Sequence, residues 1–271
     1  MQRAEVGAKV NLSLAVTGKR GGMHTLDMRV CEVSLCDAVE IAEGKGDRFE
    51  WIAEPYGFKR DLFLPRLEKI YAAVTDCFGI FPRFRIEKNI PSGAGLGGSS
   101  ALAAAMTIVC ERVTGRKAEE DFLLSLGSDV PYMYRGGEAR VTGCGEQVEA
   151  MPYVEREVLI AFPEGEVDTA AAYALYDAMS RHDAEDGNRG KYFNDLYLPA
   201  TTLNPEIARV KEVLLRCGAE NVVMTGSGSA VCAFFDEADD IKAQEAYGRV
   251  KKEVRATLVR TVKRNRSFQT G

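Results

Sequence analysis

The sequence predicts an α+β fold in two lobes, because segments with strand-like and helix-like periodicity follow one another in mixed order. Residues 10–17 alternate between apolar and small or polar side chains, which predicts a half-buried strand, and Gly21-Gly22 lies in the turn that follows. Residues 26–41 favour further strands, whereas residues 62–78 have helical spacing. Residues 84–90 alternate again and lead into a glycine-rich segment, with an apolar helix predicted after it.

The second half of the chain contains a similar mixture. Its predicted elements are a buried strand, a helix, an amphipathic helix, a strand–loop–strand unit and a charged helix, over residues 155–163, 169–179, 204–218, 221–236 and 238–255. Pro152 precedes this new succession of elements. We therefore predict an N-terminal domain of residues 1–153 and a C-terminal domain of residues 154–271.

Charge and cysteine usage limit the classes of function. The formal net charge is −5, which gives no general attraction to nucleic acid or anionic lipid, so we expect neither as a partner. No apolar run is long enough to span a membrane. The seven cysteines form no CxxC pair, and His24 and His182 stand in no ligand-spaced cluster, so we expect reduced thiols in a cytoplasmic protein without a zinc site.

The segment PSGAGLGGSS, residues 91–100, is the most informative part of the sequence. Its four glycines allow the backbone to approach a ligand closely, and the helix predicted after it directs free N–H groups towards the same point. The positive end of the helix dipole adds to this attraction for anions. A tight turn without a ligand is the alternative, but few turns need four glycines and two serines together. The segment therefore predicts a phosphate-binding loop.

Three common nucleotide-binding patterns do not account for this loop. It is not a Walker A loop, because no Gly-Lys-Ser/Thr follows. Gly93-x-Gly95-x-x-Gly98 matches the dinucleotide pattern by letter, but it lies in mid-chain and no second parallel strand follows at the expected distance. The HRD and DFG motifs of protein kinases are absent. A dinucleotide-dependent oxidoreductase is thus the weakest alternative.

Three segments in order resemble the motifs of the GHMP kinases, the group that includes galactokinase, homoserine, mevalonate and phosphomevalonate kinases. They are residues 8–26 (AKVNLSLAVTGKRGGMHTL), the glycine loop 91–100 and residues 224–235 (MTGSGSAVCAFF). The resemblance implies a ribosomal-protein-S5-like N-terminal lobe and a ferredoxin-like C-terminal lobe. It also implies ATP and Mg²⁺ as cofactors.

Within this group the sequence is most similar to the 4-diphosphocytidyl-2-C-methyl-erythritol kinases of non-mevalonate isoprenoid synthesis. The shared segments are LGSDVPY at 126–132, GCGE at 143–146, DTAAAY at 168–173, NDL at 194–196 and PEI at 205–207. The resemblance implies transfer of the ATP γ-phosphoryl group to the 2-hydroxyl of a substrate that carries a cytidine diphosphate group. Monomer and homodimer both stay open.

The resemblance also implies roles for individual residues. Asp129 aligns with the catalytic aspartate and Lys9 with the catalytic lysine, and a carboxylate beside a cation suits activation of a hydroxyl group. His24 and Tyr173 align with residues that contact the cytosine. Further substrate contacts are implied for Asn11, Thr169, Gly226, Ser227 and Gly228. The implied ATP loop consists of Pro91, Ser92, Gly93, Ala94, Gly95, Leu96, Gly97, Gly98, Ser99, Ser100 and Ala101.

Two departures from the family pattern bear on the substrate. Met23 stands where the family has a tyrosine before the histidine, which removes one aromatic ring from the expected cytosine clamp. The loop reads GLGGSSALAA instead of GLGGGSSDAA, so either serine can align with the Mg²⁺ position, and we assign it to Ser100. A GHMP kinase acting on homoserine, mevalonate or a sugar is one alternative. A nucleotide-binding relative without activity is the other.

Overall fold

The computed structural model describes residues 2–55, 58–179, 190–236 and 239–263. These residues form two β-sheets with helices packed against them. The strands are β1 (Arg3–Arg20), β2 (Met23–Ala42), β3 (Phe49–Ala53), β4 (Arg83–Glu87), β5 (Glu138–Gly143), β6 (Gln147–Ala150), β7 (Arg156–Ala161), β8 (Phe193–Asn194), β9 (Asn221–Met224), β10 (Val231–Asp236) and β11 (Ala256–Arg260). The helices are α1 (Arg60–Phe78), α2 (Gly98–Thr114), α3 (Glu120–Leu126), α4 (Val130–Arg135), α5 (Thr169–Ala178), α6 (Tyr197–Leu203), α7 (Glu206–Arg216) and α8 (Asp240–Val250).

The first sheet is built around the long antiparallel hairpin of β1 and β2. Its strand order is β3-β4-β2-β1-β8, and β5 and β6 extend it from another part of β2. The two strands reverse at Gly21 and Gly22, whose φ angles of 56° and 84° suit the two-residue hairpin turn that the sequence predicts. The pairing shifts register between Asn11 and Ser13, so β1 is irregular close to Lys9.

Helix α2 lies at the centre of the first lobe. Its residues 101–110 are all buried, and five of them are alanines or cysteine, whose small side chains allow β1, β2 and α1 to pack closely against it. A helix that is apolar on every side needs neighbours all round. The N-terminus of α2 is therefore held firmly at the end of the glycine loop.

A buried ion pair supports the entry to this loop. The Nζ of Lys88 lies 2.7 Å from Oδ2 of Asp37, and both side chains are fully buried. Oδ1 of Asp37 accepts hydrogen bonds from the backbone N–H groups of Asn89 and Ile90. Burial raises the pKa of Asp37 and lowers the pKa of Lys88, and their mutual attraction opposes both shifts. The contacts fix the chain where it leaves β4 and enters the loop.

The second sheet has the order β11-β7-β10-β9, and its pairs are antiparallel. Strand β7 is buried along its whole length. Its apolar residues 158–161 predict this, and the buried charges of Arg156 and Glu157 are paired with Glu138 and Arg260. Strand β8 belongs to the second half of the chain but pairs with β1 in the first sheet, where Asn194 lies opposite Leu14. This crossing strand brings the second lobe against the middle of β1.

The α+β, two-lobed architecture predicted from the sequence is confirmed. The domain boundary between residues 153 and 154 stays a prediction, and β7 begins the second sheet at Arg156. Strand β8 and the short helices α3, α4 and α6 were not predicted, because two to seven residues carry too little periodicity to recognise.

Candidate active site

A cleft of about 540 Å³ lies where both lobes meet. Its wall contains the glycine loop and the start of α2, the turn that precedes α4, and residues of the second lobe. The lining residues that the sequence singled out are Lys9, Pro91, Ser92, Gly93, Ala94, Gly95, Leu96, Gly97, Gly98, Ser99, Ser100, Asp129, Thr169, Tyr173, Gly226, Ser227 and Gly228. The fold thus collects residues that are more than 200 positions apart in sequence.

Lys9 and Asp129 form an ion pair in this cleft. Nζ of Lys9 lies 3.2 Å from Oδ1 of Asp129 and 3.4 Å from Oδ1 of Asn11. Lys9 is 5% exposed, because β1 runs through the core, whereas the Asp129 side chain is 31% exposed at the start of α4. A carboxylate that is open to the cleft can accept a proton from a hydroxyl group, and the ammonium group of Lys9 lies directly beside it.

The glycine loop packs backbone to backbone against the second lobe. Gly95 has a φ of 73°, and a Cβ added to it would lie 2.3 Å from the carbonyl oxygen of Thr225. A Cβ on Gly226 would lie 2.9 Å from the carbonyl oxygen of Gly95. The N–H of Ala230 donates to the carbonyl of Ala94 at 3.1 Å. Glycine is required at both contact points, since any larger residue would separate the lobes.

The start of α2 has the features of an anion site. Gly97, with a φ of 74°, occupies the N-cap position without any side-chain cap, so no capping side chain accepts from the first N–H groups of the helix and they can donate to a ligand. A Cβ on Gly98 would meet Nζ of Lys88 at 2.9 Å. Ser100 faces the cleft and is 8% exposed, whereas Ala101 is fully buried inside α2 and does not line the cleft.

Asn11 lies behind the cleft and connects its two sides. Its Oδ1 accepts hydrogen bonds from Nζ of Lys9, from the hydroxyl of Thr225 at 3.2 Å and from the N–H of Gly226 at 3.0 Å. Its Nδ2 is buried and has no hydrogen-bond partner among the described residues. Asn194, from the crossing strand, donates to the carbonyls of Met224 and Gly226 at 2.7 and 2.8 Å. The 225–228 loop is therefore held from both lobes.

Helix α5 brings Thr169 and Tyr173 to the other end of the cleft. Asp168 caps this helix by accepting the N–H of Ala171 at 2.7 Å, and the hydroxyl of Thr169 lies 2.8 Å from that of Ser227. Burial raises the pKa of the Tyr173 hydroxyl, and the negative charge of Asp129 raises it further. Tyr173 thus presents a neutral aromatic ring near the ion pair.

His24 does not line the cleft but packs behind Tyr173. The two rings stack with centroids 4.5 Å apart and planes 21° from parallel, and Tyr176 meets the imidazole edge-on at 6.5 Å. Nε2 of His24 lies 2.9 Å from Oδ1 of Asp177. Hydrogen bonds from His24 and then Lys19 lower the pKa of Asp177. Met23, beside His24, is 61% exposed.

A second cleft of about 760 Å³ adjoins the first and shares Pro91–Ala94 with it. Phe58, Phe63 and Phe162 contribute aromatic surface. Charges of both signs line this cleft, from Lys59, Arg209, Arg255, Glu164, Glu166 and Glu253. Sequence reasoning missed this cleft, because its residues come from distant segments without a common motif. It also missed Arg66, which lines the first cleft and lies in no motif.

The cleft has the features of a nucleotide-binding site. Among the residues that the structure describes, no group of three or more histidine, cysteine or acidic residues could hold a metal ion. The loop glycines and the free N–H groups of α2 fit a polyphosphate.

Within the same described ranges, no helix has the length and apolar character to cross a bilayer.

Comparisons with known proteins agree with this geometry. The GHMP kinases N-terminal domain model matches residues 66–137, and the GHMP kinases C-terminal model matches residues 171–253. The chain is 31% identical over 245 residues to the 4-diphosphocytidyl-2-C-methyl-D-erythritol kinase of Desulfitobacterium hafniense, covering 83% of each chain. It is 32% identical over 279 residues to that of Clostridium botulinum strain Eklund 17B, covering 94% of this chain and 98% of the relative.

Solved structures give the same result. A crystal structure of 4-(cytidine 5'-diphospho)-2C-methyl-D-erythritol kinase superposes with a TM-score of 0.77 at 26% identity, covering 97% of this chain and 100% of that one. The Methanococcus jannaschii mevalonate kinase has a TM-score of 0.66 at 14% identity, covering 96% and 98%, and shows the shared fold alone. The resemblance seen in the sequence is confirmed, and the chain belongs to the 4-diphosphocytidyl-2-C-methyl-D-erythritol kinase family of ATP-dependent GHMP small-molecule kinases.

Proposed function

We propose that this protein transfers the γ-phosphoryl group of ATP to the 2-hydroxyl of 4-diphosphocytidyl-2-C-methyl-D-erythritol. The observation that carries the proposal is the Lys9–Asp129 ion pair, with 3.2 Å between Nζ and Oδ1, in a cleft that also contains the glycine loop. The names of the relatives supply the acceptor, and the pair supplies the chemistry that an alcohol acceptor needs.

The proposed step has one bond formed and one broken. The acceptor oxygen attacks the γ-phosphorus of ATP, the bond from that phosphorus to the β–γ bridging oxygen breaks, and ADP leaves. Asp129 takes the proton of the hydroxyl group. The ammonium group of Lys9 orients Asp129 through the ion pair and offsets negative charge on the transferred group. Most of the catalysis consists of positioning and electrostatic stabilisation, as in other phosphoryl transfers.

ATP fits the two adjoining clefts with its phosphates on the glycine loop. The backbone of residues 91–98 and the N-terminus of α2 hold the phosphates, and the 760 Å³ cleft with its aromatic side chains has room for the adenosine. Ser100 would hold Mg²⁺ together with phosphate oxygens and water, which suits an ion that rarely has an all-protein cage. When bound, this ion neutralises phosphate charge.

The cytidine diphosphate end of the substrate belongs, in this proposal, at the α5 end of the cleft. The face of Tyr173 is suited to stacking on a pyrimidine, and His24 supports that ring from behind. Asn11, Thr169 and the loop Gly226–Ser227–Gly228 are proposed to position the rest of the substrate. Catalytic and binding roles for all these residues are proposals that their contacts support.

The direct experiment measures ADP release by the purified protein with Mg-ATP and the proposed substrate. We expect turnover that falls by roughly 10²- to 10⁴-fold in Asp129→Asn, because the amide cannot accept the proton. Asp121→Asn, an exposed change on α3, is the matched control and should keep full activity. Absence of turnover by the unchanged protein, under conditions where it binds ATP, would contradict the proposal.

The alternative acceptors belong in the same experiment. Met23 leaves the base site with one aromatic ring fewer than the family pattern, so homoserine, mevalonate and sugars are tested beside the cytidine substrate. Preference for one of these would keep the kinase mechanism and replace the acceptor. A cytoplasmic location and a monomeric or homodimeric state remain predictions from the sequence.

A further inference from the structure

Arg66 is a second cation at the cleft and lies outside every motif of the sequence. It belongs to α1 and lines the 540 Å³ cleft together with Ser100, Gly127 and Asp129. Its side chain is exposed, and among the residues that the structure describes it pairs with no carboxylate. An exposed arginine without an acidic partner, in a cleft suited to phosphates, retains donors for an anionic ligand.

The charged side chains that line the cleft show why Arg66 matters for a phosphate ligand. The charged side chains that line the cleft, within the described part of the chain, are Lys9, Arg66 and Asp129. Before the hydroxyl proton moves, the ammonium group of Lys9 is 3.2 Å from Asp129, so those two charges largely cancel. In that state Arg66 supplies the remaining positive charge of the cleft lining. The transferred phosphoryl group spreads negative charge over three oxygens, and stabilising that charge requires cations or N–H donors.

The position of the guanidinium is defined by the chain around Gly127. Nη2 of Arg66 donates to the carbonyl of Leu126 at 2.5 Å. A Cβ placed on Gly127 would lie 3.1 Å from this nitrogen and 3.8 Å from Oγ of Ser100. Nη2 of Arg66 and Oγ of Ser100 thus both lie near the Cβ position of Gly127, which precedes Asp129 by two residues in the chain. The guanidinium is therefore close to the first turn of α2 and lines the same cleft as Asp129.

A purely structural role is the competing explanation. The contact with Leu126 satisfies the last carbonyl of α3, and an arginine can do this without any ligand. That contact uses a single N–H group, whereas a guanidinium has five in a planar fork. The structural explanation accounts for one N–H group of Arg66 and does not explain why the guanidinium, with its other N–H groups, lines the cleft.

We propose that Arg66 is a catalytic residue that donates hydrogen bonds to the γ-phosphate of bound ATP and stabilises it during transfer. The inference rests on the proposed kinase function. In the step, the acceptor oxygen bonds to the γ-phosphorus, the bond to the β–γ bridging oxygen breaks, ADP departs and Asp129 takes the hydroxyl proton. Arg66 forms no covalent bond, and its contacts with the γ-phosphoryl oxygens persist through the transition state.

Nucleotide binding tests the contact without requiring turnover. Dissociation constants for the ATP analogue AMP-PNP and for ADP, both with Mg²⁺, are compared in the unchanged protein, Arg66→Met, Arg66→Lys and the control Lys69→Met. Lys69 is an exposed residue on the same helix and does not line the cleft. We expect Arg66→Met to weaken AMP-PNP binding about 10- to 100-fold, the value of a charge-assisted contact, with ADP binding nearly unchanged. Equal effects on both nucleotides, or no effect, would overturn the proposal.

Kinetics then separates this inference from the proposed function. With any acceptor that the unchanged protein phosphorylates, kcat of Arg66→Met should fall roughly 10²- to 10³-fold, while KM for the acceptor changes little. If Arg66→Met does not fold, Arg66→Lys decides, because it keeps a donor for Leu126 but loses the fork. A kcat close to that of the unchanged protein would again overturn the role of Arg66. If the unchanged protein turned over none of the acceptors, the proposed function would be contradicted. The dissociation constants for AMP-PNP and ADP would still test whether Arg66 contacts the γ-phosphate.

Discussion

The phosphate end and the base end of the cleft are built in different ways. At the phosphate end, Lys9 is 5% exposed, Asn11 is fully buried, and Gly95 and Gly226 touch backbone to backbone. At the base end, Met23 is 61% exposed and the side chain of Asp177 is 36% exposed. One end consists mainly of backbone and buried polar contacts, and the other of side chains on an exposed strand end and a short helix.

This difference indicates how each end tolerates change. Backbone contacts are lost when almost any side chain is introduced, so the phosphate end constrains the sequence tightly. Side-chain contacts can be replaced one at a time, and the stack of Tyr173 on His24 remains although Met23 has replaced an expected tyrosine. We therefore expect large effects on turnover from the phosphate end, and graded effects on substrate affinity from the base end.

Among the changes that compare the two ends of the cleft, the largest effect is expected from Lys9→Met. The change removes the cation beside Asp129, so kcat should fall roughly 10²- to 10³-fold while the KM values change less. Steady-state kinetics measures this, with Lys45→Met, an exposed residue outside the cleft, as the matched control. A kcat within about threefold of the unchanged protein would mean that no cation is needed at this position.

The next effect concerns Gly95. Gly95→Ala would place a Cβ 2.3 Å from the carbonyl of Thr225, and we expect the free energy of unfolding to fall by about 2–3 kcal/mol, with weaker ATP binding. Gly115→Ala is a matched control, because Gly115 has the same φ of 73° but no atom within 4 Å of its Cβ position. Its cost should be about 1 kcal/mol. Urea unfolding measures both, and equal values would show that the lobes do not depend on this close approach.

A smaller effect is expected at Tyr173. Tyr173→Ala removes the stacking face, so KM for the cytidine substrate should rise roughly 10- to 100-fold, with KM for ATP nearly unchanged. Tyr173→Phe keeps the ring and should stay within about threefold of the unchanged protein. If the phenylalanine variant lost as much as the alanine variant, the hydroxyl group near Asp129, and not the ring, would be the functional part.

The smallest effect is expected at Met23. Met23→Tyr restores an aromatic ring beside His24 at an exposed position, so KM for the cytidine substrate should fall about two- to tenfold without a change in stability. The same kinetic assay and a thermal melt measure this. A higher KM would indicate that the exposed methionine itself belongs to the recognition surface and that the acceptor differs from the one proposed.

Local patterns in the sequence were sufficient for the glycine loop, the strands β1 and β7, the helices α1 and α7 and the two-lobed class. Glycines and alternating apolar residues act through nearest neighbours, so their meaning can be recognised in a short segment. Lys9 and Asp129 were different, because a single lysine or aspartate carries no signal of its own. Only the order of several motifs suggested that they work together.

The sequence by itself determined that this chain builds a phosphate loop at the start of a buried helix and belongs to an α+β kinase group. The tertiary structure alone decided that Lys9 meets Asp129, that His24 packs behind Tyr173 instead of lining the cleft, and that Ala101 is buried away from it. It also placed Arg66 in the same cleft as Ser100. The physical reason is that such contacts join residues dozens to hundreds of positions apart, and their distances depend on packing between elements, which no local pattern encodes.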